Sequence, residues 1–460
     1  MHVAGGRADL AGLFGTDGVR GVANGDLDAP LAFALGRAGA HVLAARSGRR
    51  PRVLVGRDTR RSGDLLESAL VAGALSIGAD VYRLGVTTTP AVAYLVRALD
   101  VEAGAMISAS HNPFEYNGIK FFAHTGFKLP DAVEADIERH VVDAGQLPSP
   151  TGEGVGQVRE AGSEGERYLD YLVHLAGDLG GMHVVVDCAN GGACAIAPEV
   201  LRRAGLRVDV LHASPDGMNI NDRCGSLHPE GLQAEVLKAG ADFGCAFDGD
   251  ADRLIAVDAK GRVVNGDAIL GIAGLHLLRR GELPRKTVVA TVMSNLGLEL
   301  ALGAAGAKLV RTRVGDRYVL EEMERGGFVL GGEQSGHVIF RDHHTTGDGL
   351  LTAIQLARIM AESGRDLAAL SDQVPRLPQV LRNVRVAEPL RAAESESVIR
   401  AVAAAEASLA GRGRVLVRSS GTEPLVRVMV EGEDAERTAS LAEELAIAVV
   451  AAAGGDAAEA

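Results

Sequence analysis

The chain reads as an α/β protein: three similar α/β domains with mixed, mostly parallel sheets, then a small C-terminal α+β domain. Three observations predict this. Its 460 residues exceed what one compact core organises. Short β-branched runs alternate with longer amphipathic, Ala/Leu-rich runs, the pattern of parallel strands joined by crossover helices. That alternation recurs three times and then gives way to two strands around a tight loop and one long helix.

In the first repeat, residues 52–55 read as a strand and 64–77 as a helix, with Asp64 and Glu67 at capping-box spacing. Residues 80–84 form a second strand, 91–98 a second helix and 104–107 a third strand. In the second repeat the strands are 183–187, 207–210 and 242–247; in the third, 287–292, 308–310 and 328–330. In the last segment, strands 414–417 and 425–430 flank a tight loop, and residues 451–460 are expected to fray. Residues 148–154 read as a linker, 258–261 as a β-turn, and 375–378 as the start of the last segment. The expected domains are therefore 1–152, 153–259, 260–374 and 375–460.

The composition excludes several function classes. With 47% apolar and 23% charged residues the chain is globular, not disordered. A net charge of −13 disfavours nucleic acid as a partner, yet a few local arginines can still build a pocket for a small anion. Cys188, Cys194, Cys224 and Cys245 form no Cys-x-x-Cys pair, so no zinc site is expected. They read as small buried hydrophobes in a reducing compartment. The N-terminus lacks an apolar signal region, and no apolar run reaches about 18 residues. A cytoplasmic protein without a membrane span is expected. Trp is absent and aromatics are 3%, which argues against a base-stacking surface.

Five loops carry candidate chemistry. In Phe14–Gly21 the glycines let the backbone approach a ligand, and Arg20 could contact a phosphate through paired N–H groups. By itself this loop reads more readily as a Gly-rich turn. The second loop puts Ser110 beside His111, Asn112 and Pro113, after the C-terminal end of a strand, where open α/β sheets bind ligands. The loops Arg57–Arg60 and Thr87–Pro90 follow strands of the same sheet. Ser110 is a loop residue or a nucleophile; it lacks the Gly-x-Ser-x-Gly context of a hydrolase elbow. In an extended loop His111 points away from Ser110 and orients the loop instead of acting as its base.

The third loop holds Asp248, Asp250 and Asp252. Such carboxylates repel unless a cation relieves them, though a solvated acidic turn is the alternative. An EF-hand is excluded because Arg253 and Ala259 stand where Gly and Glu are needed. Three monodentate oxygens would leave an octahedral Mg²⁺ open positions for a phosphate oxygen and water. A nucleophile and a divalent-metal site in one chain point to phosphoryl transfer. The fourth loop offers Glu333, Ser335 and His337, the mixture of acceptors and donors that vicinal sugar hydroxyls require. The fifth combines Arg418, Ser419, Ser420, Gly421 and Thr422 with Arg427, a phosphate cradle without a Walker sequence. Gly-rich and hairpin turns are the respective alternatives.

With these loops in order, one or more per domain, the chain resembles the α-D-phosphohexomutase family over essentially its whole length. The resemblance implies four domains around a central cleft and an isomerase. It implies a phosphorylated Ser110, and Mg²⁺ held by Asp248, Asp250, Asp252 and the Ser110 phosphate. It also implies sugar contacts from Glu333 and Ser335, and a grip on the unreactive phosphate by the Arg418 loop. Phospho-Ser110 would donate to a hexosamine monophosphate, and a 1,6-bisphosphate would form, turn round and return its other phosphate. Residues 13–21 and Gln334 look like members acting on glucosamine 6-phosphate and glucosamine 1-phosphate; glucose or mannose phosphates are the alternative. Lys120 and His337 are the candidate acid and base, and Arg20, always protonated, takes a phosphate or transition-state role. Glucosamine 1,6-bisphosphate or glucose 1,6-bisphosphate is the expected activator, and a kinase or autophosphorylation the expected source of the phosphoserine. The expected chain is a monomer or homodimer feeding amino-sugar and peptidoglycan precursor synthesis. A Mg²⁺-dependent phosphatase would need a water placed at the phosphoserine. A sugar-phosphate binding protein would need neither Ser110 nor the aspartates.

Overall fold

The computed structural model describes residues 12–15, 18–44, 50–143, 147–420, 424–453 and 458–459. The chain forms two compact units, one of residues 1–293 and 307–373, the other of 294–306 and 374–460.

The first unit holds three sheets. Its first sheet contains β1 (Val19–Val22), β2 (Arg52–Arg57), β3 (Asp80–Val86), β4 (Ala103–Ile107), β5 (Tyr116–Ala123) and β6 (Val158–Glu160), in the order β1-β5-β4-β2-β3-β6. The pairs β2–β3, β2–β4 and β3–β6 are parallel, whereas β5 runs antiparallel to both β4 and β1. The second sheet has β7 (His183–Asp187), β8 (Arg207–Leu211), β9 (Phe243–Phe247), β10 (Leu254–Asp258) and β11 (Val263–Val264), in the order β11-β10-β9-β7-β8. The third has β12 (Thr287–Thr291), β13 (Lys308–Thr312), β14 (Leu330–Gly332) and β15 (Val338–Phe340), in the order β13-β12-β14-β15. In the second sheet β7 pairs in parallel with β8 and β9, and β10 pairs antiparallel with both β9 and β11. In the third β12 pairs in parallel with β13 and β14, and β15 closes one side antiparallel to β14.

The second unit carries β16 (Gln379–Arg385), β17 (Gly413–Ser419), β18 (Leu425–Gly432) and β19 (Ala458–Glu459), antiparallel in the order β17-β18-β16-β19. The helix Ala435–Ala452 covers this sheet, burying Leu441, Leu445 and Val449 against Val426, Val428 and Val430. Within the end expected to fray, the described residues Ala458 and Glu459 form β19 and pair with Arg385 and Val384 of β16.

In the first sheet, Val53, Val55, Ala105 and Ile107 pack against Leu35, Leu66 and Leu70 of the helices Ala29–Ala44 and Gly63–Ser76. Each fully buried Leu contributes on the order of 2 kcal/mol. Those helices approach so closely that a Cβ on Gly36 would lie 2.0 Å from the Leu70 carbonyl oxygen. The capping box expected from Asp64 and Glu67 does not form. The helix starts at Gly63 without a side-chain cap, and both carboxylates pair with Arg57, at 2.7 and 3.2 Å. A charged partner on the adjacent strand outcompetes the neutral backbone N–H. The turn at 258–261 joins β10 to β11 within the second sheet.

Candidate active site

The Ser110 loop starts where β4 ends, and its backbone is held from below by buried side chains. Asp58, at the end of β2, accepts from the Arg60 Nε at 2.9 Å and from the Ser108 hydroxyl at 2.6 Å. Ser108 Oγ in turn accepts the Ser110 N–H at 2.9 Å. The Arg60 guanidinium, 1% exposed, donates to the carbonyl oxygens of Ser110, Asn112 and Tyr116 at 2.9, 2.9 and 3.0 Å, and to that of Pro113. Asn221, from the second sheet's loops, donates to the Ser110 and Asn112 carbonyls as well. This lattice holds Ser110 at φ 53°, a left-handed conformation that a non-Gly residue adopts only under constraint.

That conformation corrects one expectation. The loop is not extended, and the turn at Ser110 brings His111 Nδ1 to 3.2 Å from Ser110 Oγ. Burial, with Arg253 and Arg20 nearby, lowers the His111 pKa to about 4, so its ring is neutral at neutral pH.

Ser110 Oγ donates to Asp248 Oδ2 at 2.5 Å. Asp248, Asp250 and Asp252 lie in the turn between β9 and β10, all buried, with one oxygen of each within 4.8 Å of the others. Asp250 Oδ2 accepts from Lys120 Nζ at 2.9 Å and from Thr89 Oγ1 at 2.6 Å. Lys120 is 3.6 Å from Asp252 Oδ2, and His337 Nδ1 approaches the same oxygen at 3.6 Å. Gly249 lets the two loops meet: a Cβ there would stand 2.5 Å from the Ser110 carbonyl oxygen.

The electrostatics of this cluster are unbalanced. Burial and the charges of Asp252 and Asp250 push Asp248 well above the usual carboxylate range. Asp252 resists its own burial because Lys120 and His337 hold it well below that range. Asp250 Oδ1 and Asp252 Oδ1 are buried without a hydrogen-bond partner. Three buried carboxylates with two orphaned oxygens, next to one hydroxyl, are a donor set that could hold a metal ion, and the all-oxygen chemistry fits a hard divalent cation.

The Glu333–His337 loop is tied to this centre through its backbone. Gly336 O accepts the Leu254 N–H at 3.0 Å, directly after the acidic turn. Glu333 accepts from the Gly315 N–H at 3.2 Å, and Ser335 Oγ is buried without a partner. His337 Nε2 accepts from the Gly347 N–H at 3.1 Å. Burial alone would lower the His337 pKa, but Asp252 and Asp316 hold it above its ordinary value. Arg20 pairs in register with Gly118 across β1 and β5, near enough to His111 to depress its pKa.

In the second unit Arg418 and Arg427 are register partners on β17 and β18. Burial and the Arg427 charge lower the Arg418 pKa, a cost that an anion between the two guanidiniums would relieve. Ser419 ends β17, and Ser420 donates its N–H to the Leu425 carbonyl. Gly421 and Thr422 lie outside the described residues.

The structure thus brings Ser110, His111, Lys120, Asp248, Asp250, Asp252 and His337 together. Asp58, Arg60 and Thr89 have one signal in the sequence, that the Arg57–Arg60 and Thr87–Pro90 loops follow strands of the same sheet; Asn221 has none. Among the described residues no helix is long and apolar enough to cross a membrane.

Four phosphoglucomutase/phosphomannomutase profiles match in order: α/β/α domain I at 11–147, domain II at 166–261, domain III at 265–377 and the C-terminal domain at 381–448. The phosphoglucosamine mutase of Moorella thermoacetica is 59% identical over 426 residues, 92% of this chain and 96% of that protein. That of Desulforudis audaxviator is 56% identical over 438 residues, 95% of this chain and 97% of its own. A phosphoglucomutase/phosphomannomutase family protein from Burkholderia thailandensis superposes with a TM-score of 0.80 at 26% identity, covering 95% of this chain and 97% of its own.

Proposed function

The chain belongs to the phosphoglucomutase/phosphomannomutase family, and from that premise we propose that it reversibly interconverts glucosamine 6-phosphate and glucosamine 1-phosphate. The observation that carries this reading is the contact of Ser110 Oγ with Asp248 at the edge of three buried, under-neutralised carboxylates. The names of the Moorella thermoacetica and Desulforudis audaxviator relatives support the choice of sugar.

In this reading Ser110 carries a phosphoryl group when the substrate arrives, loaded by a kinase, by autophosphorylation or from a hexose 1,6-bisphosphate activator. The bond from Ser110 Oγ to phosphorus breaks as the free sugar hydroxyl bonds to that phosphorus. The hydroxyl proton leaves to a base, and Ser110 Oγ regains a proton. The 1,6-bisphosphate then reorients, and the reverse transfer from its other phosphate restores phospho-Ser110. Asp248, Asp250, Asp252 and the phosphoserine would hold Mg²⁺, which neutralises charge on the transferring group when bound.

Each remaining role follows from what surrounds the residue. Lys120 donates to Asp250 and pairs with Asp252, a position that suits proton donation in one transfer and acceptance on the return step. His337 holds Asp252 ionised and could share that proton traffic. His111, neutral, steadies Ser110 Oγ. Arg20 neutralises phosphate charge, Glu333 and Ser335 receive sugar hydroxyls, and Arg418, Ser419, Ser420, Gly421, Thr422 and Arg427 grip the unreactive phosphate.

The test uses protein preloaded with glucose 1,6-bisphosphate and supplied with Mg²⁺. The expected result is isomerisation of glucosamine 1-phosphate well above glucose or mannose 1-phosphate, with phosphate label preloaded on Ser110 passing to the sugar phosphate. Preference for glucose or mannose would overturn the sugar, and full turnover by Ser110→Ala the covalent route.

A further inference from the structure

A second convergence of ligand-type side chains lies outside the acidic turn. Asp187 ends β7, His212 follows β8, and Cys224 precedes the short helical turn Gly225–Leu227, so three separate loops meet at one sheet edge. One donor atom from each lies within 4.8 Å of the others. Asp187 and Cys224 are buried, while His212 is 36% exposed and gives the cluster access to solvent. His212 Nδ1 is 3.0 Å from Asp187 Oδ2. Yet that nitrogen is buried and makes no hydrogen bond. Two backbone amides orient Asp187: Ala189 N–H donates to Oδ1 at 2.9 Å and Gly225 N–H to Oδ2 at 3.0 Å. Outer-shell donors of this kind commonly fix a ligating carboxylate.

One imidazole nitrogen, one sulfur and one carboxylate oxygen make a borderline-soft set, suited to a tetrahedral zinc-class ion and poorly suited to Mg²⁺. We propose that Asp187, His212 and Cys224 bind one zinc-class divalent cation, separate from Asp248, Asp250 and Asp252, with water in the fourth position. Binding displaces the Cys224 proton to solvent; without a metal, burial and Asp187 push that thiol up to about 12. The ion would clip loops that abut the acidic turn, since a Cβ on Gly225 would lie 2.5 Å from the carbonyl oxygen of Phe247, the residue before Asp248.

The site does not depend on the proposed reaction, and its test reads metal, not turnover. Purified full-length protein is stripped of metal, saturated with Mg²⁺ to occupy oxygen-only sites, and titrated with Co²⁺. The expected result is one equivalent of Co²⁺ showing tetrahedral visible bands and a thiolate charge-transfer band, both lost on adding Zn²⁺. Cys224→Ser should abolish the charge-transfer band, and His212→Asn should weaken Co²⁺ binding at least about 10-fold with an unchanged circular-dichroism spectrum. The proposal is overturned if the wild type shows no thiolate band at one equivalent, or if the band survives in Cys224→Ser. Should Cys224→Ser fail to fold, His212→Asn decides, and unchanged affinity in that variant overturns the site.

Discussion

The Arg60 guanidinium donates to the carbonyl oxygen of Ser110 at 2.9 Å from a fully buried position, and the same fork takes the carbonyls of Asn112, Pro113 and Tyr116. One planar cation thereby sets the backbone of the loop that carries Ser110. Arg60→Lys keeps the charge and loses the fork. The expected outcome is a kcat lower by about 100-fold, because small misplacements of a reacting group cost that much. The sugar-phosphate KM should change little. Steady-state kinetics check this; a KM effect with unchanged kcat would assign Arg60 to substrate binding.

Gly249 separates the acidic turn from the Ser110 loop by less than one methyl group. Gly249→Ala must push the Ser110 carbonyl away from its Arg60 and Asn221 donors. We expect a destabilisation of about 1–3 kcal/mol, the usual cost of overpacking, together with a loss of phosphoserine formation. Urea unfolding and intact-mass measurement of Ser110 loading read the two effects separately.

Asp250 offers one oxygen to Lys120 and Thr89 and leaves the other unpartnered. Asp250→Asn removes a charge from the triad, so half-saturation by Mg²⁺ should move up by at least about 10-fold. A titration of activity against Mg²⁺ that superposes on the wild type would remove this turn from the metal site.

Acid stability should hinge on His344. Its Nε2 lies 3.0 Å from the Pro90 carbonyl, and burial lowers its pKa from 6.5 to about 3. Below pH 6.5 the unfolded chain therefore binds a proton that the folded ring refuses. Stability falls as pH drops from about 6.5 toward 3, by up to roughly 5 kcal/mol for this group. His344→Gln should flatten that part of the curve; an unchanged pH dependence of the urea midpoint would refute it.

Asp348 works in the opposite direction. Burial raises its pKa from 3.8 to about 6, although it caps a helix through the Leu351 N–H and accepts from the Tyr168 hydroxyl at 2.7 Å. The folded state then holds a proton that the unfolded chain has released, so this contribution is present below about pH 4 and lost as pH rises through 6. Asp348→Asn keeps the cap and removes the buried charge. It should be more stable than the wild type at pH 8, by up to about 3 kcal/mol, with the difference closing toward pH 4. Equal midpoints at pH 8 would show that the carboxylate is not strained.

Legibility in the sequence followed the range of the interaction. The strands near 52, 104, 183 and 287 were readable because a buried parallel strand is a continuous apolar run. β5 was not, since its Tyr-Asn-Gly-Ile-Lys start mixes polar, flexible and charged residues, and Lys120 is tolerated in the core only through Asp250 and Asp252. The capping box misled because Arg57, on a neighbouring strand, offers Asp64 and Glu67 a stronger partner.

The sequence by itself determined the four-domain α/β architecture and which loops carry chemistry, because strand patterning and glycine, serine and aspartate clusters are local properties. Only the tertiary structure decided that Ser110 takes a left-handed backbone, with His111 at 3.2 Å and Asp248 at 2.5 Å from its hydroxyl. It likewise decided that Asp187, His212 and Cys224 converge, which their spacing in the chain does not reveal. The physical reason is common to both. A site is set by contacts between strand ends far apart in the chain, and a buried group such as Arg60 is chosen by acceptors that exist only after the sheets have packed.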